Sequence, residues 1–150
     1  MSTSPELIDT VQCLCLASRR AARAITRAFD RELRAHGLRA TQFTLLAVLS
    51  LKGEQTIGEL AEFVDADRTT MTRNVALAEE KGLVAVQQHP SDGRVRVVSI
   101  TAAGRDTLSA ALATWGRVQQ RLLDTMGAEV ATSLRSMEVW QTEDQAIVGS

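Results

Sequence analysis

Residues 56–101, TIGELAEFVDADRTTMTRNVALAEEKGLVAVQQHPSDGRVRVVSIT, decide the fold. Thr56-Ile57-Gly58-Glu59 has the spacing of a capping box, in which the Thr56 hydroxyl accepts from the amide three residues on and Glu59 reaches back to the Thr56 amide. A short helix therefore opens there and ends near Val64. Asp67 is placed to N-cap a second helix whose inward positions Met71, Val75 and Ala78 fall at i, i+4 and i+7, and Lys81-Gly82 closes it. Leu83 to Gln88 and Arg94 to Ile100 then read as two strands, the second alternating Val95, Val97 and Ser99 against Arg96 and Val98. Pro90-Ser91-Asp92-Gly93 is the turn between them. Helix, turn, helix and hairpin in that order describe a winged helix-turn-helix.

The flanks are helical. Upstream, Leu7, Val11, Leu14, Ser18, Ala22, Ile25, Phe29 and Leu33 recur at three- and four-residue steps, the spacing of one long helix with a buried stripe, which His36-Gly37 ends. A helix from Ala40 or Thr41 through Leu51 follows, with Phe43, Leu46, Ala47 and Leu51 inside and Lys52-Gly53 as its end. Downstream, Thr101-Ala102-Ala103-Gly104 leads into a long helix carrying Leu108, Leu112, Trp115, Val118, Leu122 and Met126, broken at Gly127. A last helix, around Ala128 to Ile147, has Val130, Leu134, Met137 and Trp140 or Gln141 on its apolar side. The fold class is thus mainly α (α+β), one domain over 1–150: a winged helix-turn-helix lobe at 38–100 between long terminal dimerisation helices at 5–36 and 102–148.

A 150-residue chain buries roughly 68–70% of its unfolded surface and needs no staple. With 45% hydrophobic and 23% charged residues it is composed like an ordinary globular protein, with no run apolar enough to cross a bilayer. The start, Met1-Ser2-Thr3-Ser4-Pro5-Glu6, lacks the pattern of a signal peptide, so a cytoplasmic protein without membrane contact is expected. A net charge of −1 gives no overall attraction to phosphates, so local placement must carry any DNA binding.

That placement is specific. If Met71, Val75 and Ala78 face inward, Arg68, Thr69, Thr72, Arg73 and Ala76 face outward on the same helix. Arginine can grip guanine or phosphate, and threonine can hydrogen-bond or touch a thymine methyl group. On the wing, Arg94 can enter the minor groove, Asp92 can orient it or hold the turn, and Arg96 is a second phosphate contact. The terminal apolar stripes are too long to serve only as covers, which points to a homodimer. A two-fold dimer would set its reading helices roughly 34–36 Å apart on a palindromic site.

The ordered series Leu60-Ala61-Glu62, Thr69-Thr70-Met71-Thr72-Arg73, Glu79 to Val84, Asp92-Gly93-Arg94 and Ser99 to Gly104 resembles the MarR family of bacterial transcriptional regulators. The resemblance covers nearly the whole chain and implies a dimeric repressor or activator of double-stranded DNA. It assigns the 68–80 region to the major groove, Arg94 to the wing and Asp92 as its partner, and it implies release by a small aromatic carboxylate or phenol bound between the lobe and the dimerisation region. Two departures, Ala85-Val86 where the family often has an arginine and Asp92-Gly93-Arg94 where Asp-Arg-Arg is common, remove phosphate contacts.

Cys15 falls where peroxide-sensing members of that family carry their reactive thiol, so oxidation at Cys15 is a second route to release. Those sensors hold the thiolate with tyrosines, and this chain has none. Cys13 and Cys15, two apart on one helix, would lie about 200° apart and could not readily bridge. His36 and His89 have no ligand-spaced neighbours, so no metal is expected, and no cofactor motif is present. Arg20, Arg23, Arg27, Arg31 and Arg34 form a solvated face, with Asp30 spaced to pair with Arg34. No phosphate loop, nucleophile elbow or catalytic cluster argues for an enzyme. The competing reading is a winged helix used only for protein interaction, which would not need Arg68, Arg73 and Arg94.

Overall fold

The computed structural model describes residues 10–137. Helix α1 spans Leu14–Leu33, and a 3-10 turn at Arg34–His36 leads to α2 at Ala40–Lys52. Strand β1 (Gln55–Thr56), α3 (Ile57–Phe63), α4 (Arg68–Glu80), β2 (Val84–Gln88) and β3 (Arg96–Ile100) follow, then α5 (Ala102–Met126) and α6 (Ala128–Ser136). The chain divides into two compact units within α5, after Trp115.

In the first unit the core joins α1 to α5 through the helix-turn-helix. Leu33, Leu38, Leu45, Leu46, Leu49, Leu60, Val75 and Val98 are buried to 2% exposure or less. Each such side chain contributes roughly 1.5–3 kcal/mol by leaving water. Phe43 stacks on Trp115 with ring centroids 5.9 Å apart. His36 Nε2 hydrogen-bonds Thr114 Oγ1 at 2.9 Å. In the second unit Val118 and Ala131 are buried, whereas Val130, Leu134 and Met137 are exposed.

The sheet is antiparallel with order β1-β3-β2. Its register pairs Val84 with Ile100 through to Gln88 with Arg96, and Gln55 and Thr56 with Val98 and Val97. The two-residue β1 was not expected, being too short for a pattern of its own. Val98 is the fully buried residue of β3 and Val97 is only half-buried, so the alternation is right and its inner face is the Val98 one.

Several expectations are corrected. The first helix is not continuous: Cys13 has φ −56° and ψ 136°, an extended conformation that starts α1 anew at Leu14. Within α1 only Leu33 is buried, and Val11, Leu14, Ser18 and Ala22 are exposed in the single chain. Leu51 is 87% exposed; α2 turns Gln42, Leu45, Val48 and Leu49 inward beside Phe43 and Leu46. Leu112 is 50% exposed. Asp30 does not pair with Arg34, because its Oδ1 accepts from the Ala40 amide at 2.7 Å and so caps α2 across the turn. The ion pair observed along this row is Arg31 with Glu32. Leu7, Trp140, Gln141 and Ile147 lie outside the described residues.

Candidate nucleic-acid interface

The interface is built from its caps. Thr56 N donates to Glu59 Oε2 at 2.7 Å, and Glu59 N donates to Thr56 Oγ1 at 3.1 Å, the reciprocal pair that starts α3. The Thr56 amide first, and then the Thr56 hydroxyl, which donates to Glu59 Oε2 at 2.9 Å, hold the Glu59 carboxyl below its ordinary pKa. At the end of α3, Ala66 N donates to Ala61 O and Asp65 N to Glu62 O, which is a Schellman closure. Asp65 occupies its left-handed position at φ 51°, a conformation aspartate tolerates better than most side chains. Asp67 then caps α4 by accepting from Thr70 N at 2.8 Å and Thr70 Oγ1 at 2.6 Å. The Thr70 hydroxyl, and after it the Thr70 amide, lower the Asp67 pKa.

Met71, Val75 and Ala78 are buried at 3%, 2% and 0% exposure, which fixes the rotation of α4. Arg68, Thr69, Thr72, Arg73 and Ala76 are accordingly exposed together on the opposite face. Thr72 Oγ1 donates back to Arg68 O at 2.8 Å, leaving its lone pairs for an incoming donor. Asn74, which sequence reasoning passed over, ties α4 to α2 through Nδ2 on Thr41 O at 3.3 Å.

The hairpin continues past the last strand pair by one bond, His89 N to Val95 O at 2.9 Å. Its tip is closed by Asp92, whose Oδ1 accepts from Arg94 N at 3.0 Å and whose carbonyl accepts from Val95 N. Asp92 therefore holds the turn, and the Arg94 guanidinium is exposed beyond it. Arg96 is exposed on the outermost strand rung, opposite Gln88. His89 belongs to the wing itself, with Nδ1 accepting from Ser91 N.

A cavity of about 430 Å³ runs along α2 and the inner edge of α4. Leu45, Val48, Leu60 and Leu77 give it apolar walls, with Arg39 and Arg73 among its lining. Cys15 is exposed in the first turn of α1, and Cys13 is exposed at its N-cap. The amides of Leu16 and then Cys15 lower the Cys13 pKa. Among the described residues no group of three His, Cys, Asp or Glu side chains could hold a metal ion, and no helix is long and apolar enough to cross a membrane.

Two helices joined by a tight turn, with an arginine-tipped hairpin beside them, define a winged helix-turn-helix of the transcription-regulator class. The family model described as "MarR family" matches residues 36–95. The transcriptional regulator MosR of M. tuberculosis, solved in complex with DNA, is 36% identical over 89% of this chain and 98% of its own, with a TM-score of 0.77. The chain belongs to the MarR family. The HTH-type transcriptional regulator YxaD of Bacillus subtilis is 37% identical over 79 residues, 53% of this chain and 55% of that protein. The HTH-type transcriptional repressor IacR of Pseudomonas putida is 34% identical over 53% of this chain and 47% of its own length. This chain thus spans about half the length of the curated relatives it matches.

Proposed function

We propose that this MarR-family regulator is a cytoplasmic, homodimeric, sequence-specific DNA-binding repressor released from a palindromic operator by a small aromatic ligand. The carrying observation is the exposed set Arg68, Thr69, Thr72 and Arg73 on a helix whose other face is locked by Met71, Val75 and Ala78. In this reading α4 lies in the major groove and Arg94, presented by the Asp92 turn, enters the minor groove while Arg96 meets a phosphate. MosR bound to DNA supports the same use of this fold here.

Dimerisation is supported by apolar side chains left exposed in the single chain, Val11 at 65% and Leu14 at 86% before and at the start of α1, and Leu134 and Met137 in and after α6. The cavity along α2 and α4 has apolar walls, and the Arg73 guanidinium in its lining suits an aromatic carboxylate. Oxidative release is the second route. The thiol proposed for it is Cys15, exposed in the first turn of α1, with Cys13 at the N-cap as an accessory thiol.

The test is fluorescence anisotropy of the reduced chain with duplexes from its own upstream intergenic region and a scrambled control, at one stated salt concentration. Selective binding that falls in Arg73→Ala and Arg94→Ala is expected. Unchanged affinity in both variants would refute the interface and favour a protein-interaction module.

A further inference from the structure

The α1 terminus, the start of α2 and the end of α4 meet around a cleft of about 450 Å³ lined by Asp30, Arg34, Gly37, Leu38, Arg39 and Lys81. Three cations from three elements converge there with one carboxylate. That carboxylate is already engaged, since Asp30 Oδ1 accepts from the Ala40 amide. Among the described residues no side chain pairs with the Arg34 or Arg39 guanidinium groups, and the Asp30 to Arg34 pair that the sequence spacing allows is not formed. The cleft thus holds an excess of fixed positive charge with hydrogen-bond donors to spare.

Its floor is built, not incidental. Gln42, buried at 3% exposure, accepts through Oε1 from Arg39 N at 3.3 Å and from Lys81 Nζ at 3.0 Å. Lys81 Nζ also donates to Gly37 O at 2.8 Å. An ammonium has three donors, so two fixed bonds leave one for a ligand. Leu38, at 1% exposure, closes the apolar side.

We propose that this cleft is an effector site for a compact small-molecule anion bearing two or more carboxylate or phosphate groups. The Arg34 and Arg39 forks grip the outer oxygens, and Lys81 takes the inner one. The regulatory part rests on the DNA-binding reading. Lys81 is the C-cap of α4 and its ammonium bonds Gly37 O and Gln42 Oε1, so an anion held on its third donor acts directly on the tie between the α1–α2 turn and the end of the reading helix.

The full chain is titrated by calorimetry with pyrophosphate and with citrate, ionic strength held constant with sodium chloride. One saturable site per chain for at least one probe is expected, weakened at least ten-fold in Arg34→Gln/Arg39→Gln. Both side chains are exposed, so that variant should melt as the parent does. No saturable binding of either probe, or undiminished binding in the variant, overturns the site. In the anisotropy assay a saturating probe should lower parental DNA affinity and leave the variant's unchanged. Loss of DNA affinity by the variant in probe-free buffer would show that the cations serve the DNA backbone, and would also overturn the proposal. If the chain binds no DNA, the calorimetric result still decides the anion site on its own.

Discussion

Gly104 and Gly116 lie on the same helix, and replacing each with alanine should move stability in opposite directions. Gly104 is buried in the first turn of α5, where a Cβ would overlap Leu83 O and stand 2.9 Å from Ile100 Cγ1 and 3.0 Å from Leu83 C. Neither the carbonyl nor its carbon can turn aside, because Leu83 O accepts from Thr101 N at 3.1 Å and Thr101 Oγ1 is bonded to Gly82 O and Gly104 N. Overpacking costs about 1–3 kcal/mol, and a disturbed Thr101 bond adds about 1 kcal/mol. The better helix propensity of alanine returns at most about 1 kcal/mol. The net is a loss of about 2 kcal/mol, or roughly 4–8 °C in melting temperature for a chain of this length. A Cβ at Gly116 meets nothing within 4 Å. There the propensity gain of about 0.5–1 kcal/mol stands alone and the melting temperature rises. Thermal and urea melts at one protein concentration measure both. A Gly104→Ala protein as stable as the parent would refute the close approach of α5 to the β2 root.

Arg73→Ala should weaken operator binding by about 1–3 kcal/mol if it reads a base, and Arg94→Ala should also lower the salt slope if its contact is to phosphate, both read by anisotropy at several salt concentrations. Glu59 and Asp67 have lowered folded-state pKa values, so their stabilisation is complete above the unfolded carboxylate range and is lost as pH falls through the folded values. Glu59→Gln/Asp67→Asn should therefore show a shallower fall in melting temperature than the parent as the solution is acidified from about pH 5. Hydroperoxide should release the parent from DNA in the anisotropy assay and leave Cys15→Ser bound; a Cys15→Ser chain that responds as the parent does would remove Cys15 as the sensor.

The centre of the fold was legible because its signals are local. Thr56 with Glu59, and Asp67 with Thr70, are caps spanning three residues, and Met71, Val75 and Ala78 alternate with polar residues on a helix with one apolar face. Helix α2 defeated the same reasoning. Leu45, Leu46, Val48, Leu49 and Leu51 leave no polar side to orient it, so periodicity admits Leu51 as readily as Leu45. The break at Cys13 carries no glycine or proline to announce it. The ties that organise the candidate sites, Asp30 to Ala40, Lys81 to Gly37 and Asn74 to Thr41, join residues 10, 44 and 33 positions apart, and a spacing rule within one helix sees none of them. For Asp30 it offered Arg34 instead.

Thr56 belongs to two elements at once, pairing with Val97 in the sheet while capping α3. The root of the wing and the entry to the helix-turn-helix are consequently a single joint. One residue inserted between Gly53 and Thr56 would slip β1 and turn its side chains to the opposite face. Beyond the Gln88 to Arg96 rung nothing is shared in this way, so residues 89–95 can lengthen or shorten with the joint intact. How far Arg94 projects can thus diverge from one descendant to another while α4 keeps its setting, which in the proposed reading lets the two halves of DNA recognition evolve at separate rates.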